Sequence, residues 1–323
     1  MASDQIPSEL KIKLQNSGDE KEKVVVKASK KPALSAANAA LLAESGEVAD
    51  ADDLGREMTS LQRSKGYKSH LMKLHSVVRP EGQPQGPPSM LVLEHIPHGT
   101  LKELAQAIGI GNLPGSFIRS VFLCLVRIVT ELAYPDTDGH DIPADPDVRP
   151  TELAHMDIRW NNLMFGDVEP GSAEHDPWPI LKLIDFGQAR DYTEVDEKDD
   201  AEYVSADRRK TREDADAAAK KGPEKRSSGI ERNIRDLALV GHPERPLFTL
   251  PAGKQLTKSS PPANAPNLEQ DVRNLIIQCL APNPKHRPSL EELTALDWFA
   301  NVTEQDCEDA KALVDKHIYN KKS

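Results

Sequence analysis

The sequence predicts an α+β fold of two unequal parts, a small antiparallel sheet followed by a larger, mainly helical body. Three observations point there. Short β-branched or alternating apolar runs recur through residues 1–97, which are strand-rich, and helical periodicity takes over from 98 onward. Inside the helical part stands one further pair of apolar runs, Leu163–Phe165 and Leu181–Ile184, with the composition of a small hairpin. Strands grouped ahead of helices are the mark of a segregated rather than an alternating fold.

In chain order, Leu10-Lys11-Ile12-Lys13-Leu14 and Val24-Val25-Val26-Lys27 flank Asn16-Ser17-Gly18-Asp19 and read as strand, turn and strand. Composition turns to Ala and Leu over 34–45, and the stretch 52–65 sets Leu54, Met58 and Leu61 at helical spacing. The apolar runs 71–78 and 90–96, separated by the Pro/Gly/Gln-rich 79–89, predict another hairpin. Beyond Pro97-His98-Gly99, helices are expected over 100–108 and 116–133. The division is therefore 1–97 strand-rich, 98–300 helical and 301–323 a tail. Three polar segments, 134–150, 167–179 and 193–228, read as solvated loops; the last offers Thr193, Tyr203, Ser205, Thr211, Ser227 and Ser228 to modification. No internal repeat is visible.

Composition narrows the function. The chain of 323 residues carries 41 basic and 52 acidic side chains, a net charge of −11, and only 4% aromatics. Such a surface offers no basic field to nucleic acid or to anionic membrane, so neither is an expected partner. Cys124, Cys279 and Cys307 are odd in number and widely spaced, which argues against a disulfide framework and against a zinc site, and for a reducing compartment. No run approaches the roughly 18–20 apolar residues of a membrane span. The start Met-Ala-Ser-Asp-Gln lacks an apolar signal core, so an intracellular setting, cytoplasmic or nuclear, is expected.

The chemistry is concentrated in His155-Met156-Asp157-Ile158-Arg159-Trp160-Asn161-Asn162 and in Asp185-Phe186-Gly187, which follows Asp157 by 28 positions. Asp157 can accept the proton of an attacking hydroxyl, while Asn162 and Asp185 supply hard oxygen ligands for Mg2+ on nucleotide phosphates. Either tripeptide alone arises by chance; the two at this spacing do not readily do so. Apolar runs flank both, so the ligands belong at strand ends, where rigid backbone fixes them.

With these residues the chain resembles the eukaryotic protein kinase family from about Leu10 to Phe299, most closely from Met90 onward. The resemblance implies a two-lobed protein-kinase-like fold and transfer of the γ-phosphate of ATP, with Mg2+, to a serine or threonine hydroxyl of a protein partner. Leu91 to Leu101 looks like the last small-lobe strand and hinge. There Leu93 would guard the back pocket, backbone groups of Glu94 and Ile96 would bind the adenine edge, and Met164 would belong to the nucleotide site. Arg159 would contact the transferred phosphate. Lys27 resembles the nucleotide lysine, with Glu57 as its helix partner and Glu44 as the rival. Leu275 to Ser289, ending in His286-Arg287-Pro288-Ser289 ahead of Trp298-Phe299, is similar to the family's final helical region and sets the chain apart from small-molecule phosphotransferases. Arg287 would pair with Glu224 of Gly222-Pro223-Glu224, and either Asn233 or Asp236 would be the usual buried acid of the next helix, which Gly241-His242-Pro243 ends early.

The departures are specific. No G-x-G-x-x-G precedes Lys27, and Gly18 is the only glycine in the first 45 residues, so the small lobe lacks the phosphate-covering loop. Met156 replaces the arginine that reads a phosphorylated loop, and a thioether cannot form that bidentate pair. The alternative function is thus a pseudokinase, a nucleotide-binding or scaffold protein. The oligomeric state is not fixed by the sequence.

Overall fold

The computed structural model describes residues 24–28, 53–63, 70–79, 86, 88–109, 113–136, 142–145, 147–172, 174–191, 229–238, 241–242, 245–246, 270–281, 286–297 and 303–319. The fold is mixed α/β, with small antiparallel sheets and about 48% of the described residues in helix. The expected strand 10–14, the helix 34–45, Glu44, Glu224 and the polar segment 193–228 lie outside the described residues.

Strands β1 (Val24–Ala28), β2 (Leu74–Val78) and β3 (Met90–Glu94) form an antiparallel sheet in the order β1-β3-β2. The central strand is an unbroken apolar run, Met-Leu-Val-Leu, and its middle residues are buried on both faces. Register sets Lys27 opposite Leu91 and Val25 opposite Leu93, so Lys27 shares one sheet face with those three apolar side chains. Helix α1 (Asp53–Arg63) follows its predicted span closely. Leu54, Glu57 and Leu61 fall on its buried stripe at helical spacing, which sets a carboxylate in the middle of an apolar face.

Helix α2 (Leu101–Ile108) begins on a capping box, in which the Glu103 N–H donates to Thr100 Oγ1 at 3.2 Å and the Thr100 N–H donates to Glu103 Oε2 at 3.1 Å. Helix α3 (Gly115–Ala133) is the axis of the core, with every residue from Ser116 to Ala133 buried. A helix enclosed on all sides needs partners all round. They include α4 (Gly229–Ala238), α6 (Leu290–Thr294), α7 (Glu304–Val314) and strand β6 (Leu181–Leu183). The short strand β5 (Leu163–Phe165) pairs with β6 as the expected hairpin, and β4 (Leu153–Ala154) pairs with β7 (Arg190–Asp191). Helix α5 (Gln270–Cys279) and the small pair β8 (Gly241–His242) and β9 (Arg245–Pro246) complete the described elements. Helix α4 ends at Ala238, ahead of the Gly241-His242-Pro243 stop.

Two segments differ from their sequence reading. The stretch after 301, set apart as a tail, is helical: α7 runs into a π-turn at Asp315–Tyr319, Val314 and Ile318 are buried, and Tyr319 Oη accepts the Val168 N–H at 2.9 Å. The segment 167–179, read as a solvated loop from its polar composition, sends His175 and Trp178 into the interior. Polar composition there reflects a loop whose anchors are few but large. No helix among the described residues is long and apolar enough to cross a membrane.

Gly229 opens α4 where its backbone presses on Glu152, the residue before β4. A Cβ there would lie 2.3 Å from the Glu152 carbonyl oxygen, and the Gly229 N–H already donates to Glu152 Oε2 at 3.0 Å. Gly229→Ala is therefore expected to destabilise the fold by about 1–3 kcal/mol in urea unfolding, as overpacking against backbone does; an unchanged midpoint would show that the contact yields freely.

Candidate functional site

Asp185 sits two residues past the end of β6, in the left-handed region at φ 64°, and begins a 3₁₀ turn over Phe186–Gln188. Left-handed backbone at a residue other than glycine costs free energy, which Asp tolerates better than most, and such residues recur at functional sites. The Lys27 ammonium donates to Asp185 Oδ1 at 2.8 Å and lies 2.6 Å from Glu57 Oε2. Glu57 is fully buried, whereas Lys27 and Asp185 are partly open. Burial alone disfavours the Lys27 charge, yet the two carboxylates outweigh it and raise the Lys27 pKa. For Asp185, burial is likewise overcome by the ammonium, which holds its carboxyl below the ordinary carboxylate range. Burial dominates at Glu57 and lifts its pKa, against the pull of Lys27 and of the Phe186 backbone. The result is a cation held between two acids, one on α1 and one after β6.

Beside it, the His155–Asn162 segment folds into a tight loop between β4 and β5. Met156 takes a φ of 65°, and the turn is held from several sides. Asn233 Oδ1 of α4 accepts the His155 N–H at 3.1 Å, and Asn233 Nδ2 donates to the Leu153 carbonyl at 2.9 Å. Asn162 Nδ2 donates to Asp157 Oδ2 at 2.7 Å and to the Asp157 carbonyl at 3.0 Å, while Arg159 Nε lies 3.1 Å from Asp157 Oδ1. Burial raises the Asp157 pKa, although Arg159 and Asn162 oppose the shift. The Ile184 N–H donates to the Asn162 carbonyl at 2.9 Å, tying this loop to the strand end that carries Asp185.

The remaining sequence-predicted residues gather at the end of β3. Leu93 and Ile96 are buried there. The Glu94 carboxylate accepts Lys182 Nζ at 2.7 Å and the Lys73 N–H at 3.1 Å, so β6 is joined to β3 by charge. Met164 pairs with Lys182 across the hairpin and bridges Thr100, alongside the β3–α2 connection. Three groups thus form: Lys27, Glu57 and Asp185 in direct ionic contact; Asp157, Arg159 and Asn162 in a second; Leu93, Glu94, Ile96 and Met164 in a third. The described hydrogen bonds and ion pairs do not join the third group to Lys27. Between Asn233 and Asp236, the sequence left the buried position open, and both are buried: Asn233 bonds to the backbone of His155 and Leu153, and Asp236 pairs with Arg232 at 2.8 Å. Arg287 donates to the carbonyls of Ala281 and Glu231, each at 2.9 Å.

Sequence reasoning missed the His155–Phe186 contact, edge to face at 4.8 Å, and the Glu94–Lys182 pair. The alternation Leu181-Lys182-Leu183 was the available signal for the second, since it turns Lys182 away from the buried face. No protein-family model matches this chain, and no curated protein matches it.

His155 makes the site sensitive to acid. Its Nε2 lies 3.2 Å from the Ile184 carbonyl and its Nδ1 accepts the Asp157 N–H at 3.3 Å, which fixes a neutral ring protonated on Nε2. Full burial lowers its pKa from 6.5 to about 4. The folded state then binds fewer protons than the unfolded chain below pH 6.5, so stability present above that value is lost as pH falls toward 4. Urea melts of wild type against His155→Gln should show wild type losing roughly 3 kcal/mol more over this window; parallel losses would contradict the buried neutral ring.

Proposed function

We propose that this chain is a magnesium-dependent phosphotransferase of the protein kinase type, acting inside the cell on a serine or threonine hydroxyl of a protein partner. The observation that carries the reading is the Lys27 ammonium held between Glu57 and Asp185, next to an Asp157 already hydrogen-bonded by Asn162. The donor set fits Mg-ATP. Asp185 and the Asn162 amide oxygen are hard ligands suited to magnesium, and Lys27 is open enough to reach a phosphate. When bound, magnesium neutralises the phosphate oxygens and lowers the cost of charge moving among them. Lys27, oriented by Glu57, holds the non-transferred phosphates. Arg159 offsets charge at the transferred group, and Asp157 orients the acceptor hydroxyl and takes its proton. Backbone groups of Glu94 and Ile96, with Leu93 and Met164, hold the base.

A second reading is a nucleotide-binding or scaffold protein without turnover. What favours it is the absence of a glycine-rich phosphate loop before Lys27, together with Met156 where a phosphate-reading arginine would stand. Turnover separates the two. On the kinase reading, purified chain with Mg-ATP and a mixed Ser/Thr peptide library transfers phosphate, Asp157→Asn slows kcat about 10²–10⁴-fold, and Asp185→Ala abolishes transfer. Undiminished transfer in Asp185→Ala would refute it, and magnesium-dependent ATP binding without transfer would leave the scaffold reading.

The pH profile offers an independent check. Asp157 must be ionised to accept a proton, and burial raises its pKa above the ordinary 3.8. The acid limb of kcat/KM should therefore lie above that value; a profile flat down to the ordinary carboxylate range would remove Asp157 from the proton path.

A further inference from the structure

We propose that His70, Cys124 and His175 form a binding site for a borderline divalent transition-metal ion, zinc foremost, in the interior where the segment leading into β2 meets helix α3. All three residues are buried, and their ligand atoms, a ring nitrogen of either histidine and the Cys124 Sγ, lie within 4.8 Å of one another. The two imidazole nitrogens are 3.2 Å apart. Zinc bonded to two nitrogens at about 2.0–2.1 Å in tetrahedral geometry holds them roughly 3.3 Å apart, so the histidines already stand at ligand spacing. A small inward turn of the thiol completes capture by three side chains.

What surrounds the ligands is arranged as metal sites are. His70 Nδ1 donates to Glu131 Oε1 at 3.0 Å, and the His70 N–H reaches the same oxygen at 3.2 Å. A buried carboxylate on one ring nitrogen fixes the tautomer that presents the other nitrogen's lone pair, as in carboxylate–histidine–zinc triads. Cys124, Arg127 and Glu131 are spaced by three and four residues on α3, hence on one face. Arg127 pairs with Glu174, which anchors the loop at the residue before His175. The Ser172 hydroxyl accepts the His175 N–H at 3.1 Å and fixes that backbone. The segment 167–179 thus folds inward for a reason its composition conceals.

Charge and softness agree. On binding, the Cys124 S–H bond breaks, a sulfur–metal bond forms and the proton leaves to solvent. The dication, the thiolate and the Glu131 carboxylate then sum to zero, which suits an interior where net charge is costly. Two imidazoles and a thiolate select zinc, cobalt or copper over magnesium or calcium. The ion would fasten α3 to β6, the strand that leads to Asp185, because the His70 carbonyl accepts the Leu183 N–H at 2.8 Å and the Met72 N–H donates to the Leu183 carbonyl at 2.9 Å. Since the ligands are fully enclosed, the ion enters during folding and leaves only on unfolding.

The test needs no nucleotide. The full chain, with Cys279→Ser and Cys307→Ser to remove the other thiols, is expressed in zinc- or cobalt-supplemented medium and analysed by elemental analysis and absorption. The expected result is a single ion per chain, resistant to chelator until the protein unfolds, and a thiolate-to-cobalt charge-transfer band. Cys124→Ser and His175→Asn should each abolish the band, and Glu131→Gln should weaken affinity about 10–100-fold. Folded protein that holds no metal and shows no band would overturn the site and leave a plain hydrogen bond between the two rings. A band that survives in either ligand variant would overturn it as well. If the variants fail to fold, the metal content and spectrum of the parent chain still decide.

Discussion

The arrangement depends on one buried charge. Glu57 has no solvent exposure, and a carboxylate left there without a cation would cost several kcal/mol. Lys27 at 2.6 Å supplies the cation, and Asp185 at 2.8 Å shares it. Because these three residues sit on β1, on α1 and after β6, the ionic contact sets the relative positions of three elements far apart in sequence. Helix α1 can pack its apolar stripe only where Lys27 reaches Glu57, and the 3₁₀ turn at Phe186–Gln188 lies against that same helix. Packing and electrostatics therefore select one geometry together.

A second constraint runs through the loop His155–Asn162. Met156 and Asp185 both adopt left-handed backbone, and neither has the freedom of glycine. The surrounding bonds from Asn233, Asn162 and the His155 ring hold that loop, while Phe186 packs on His155 from the side of the 3₁₀ turn. Rigid support of this kind keeps polar groups where a charged ligand would need them, at the expense of local stability.

Much of this was legible in the sequence because it is local. Helical spacing of Leu54 and Leu61 located α1, the apolar runs on either side of the Pro-rich connection located β2 and β3, and the pairing of Leu163–Phe165 with Leu181–Leu183 follows from two runs and a polar gap. The grouping of Lys27 with Glu57 was drawn from resemblance, since no spacing rule links a strand lysine to a helix acid. What stayed hidden is non-local or masked by composition. Cysteine spacing cannot reveal a cluster in which Cys124 meets histidines from two other segments, and a polar loop gives no sign that His175 and Trp178 turn inward. The helical fate of the last residues was also missed, because its anchors Val314, Ile318 and Tyr319 are few among charged neighbours.

On the kinase reading proposed above, the Glu57–Lys27–Asp185 contact prepares a site for magnesium-bound nucleotide. Calorimetric titration of Mg-ATP into wild type and into Glu57→Gln, which keeps the shape and removes the charge, probes that contact alone. Magnesium-dependent binding to wild type is expected, with an affinity at least about tenfold lower in the variant, a loss of ~1.4 kcal/mol or more. Equal affinity in the two proteins, or no binding of Mg-ATP by wild type, would contradict that reading.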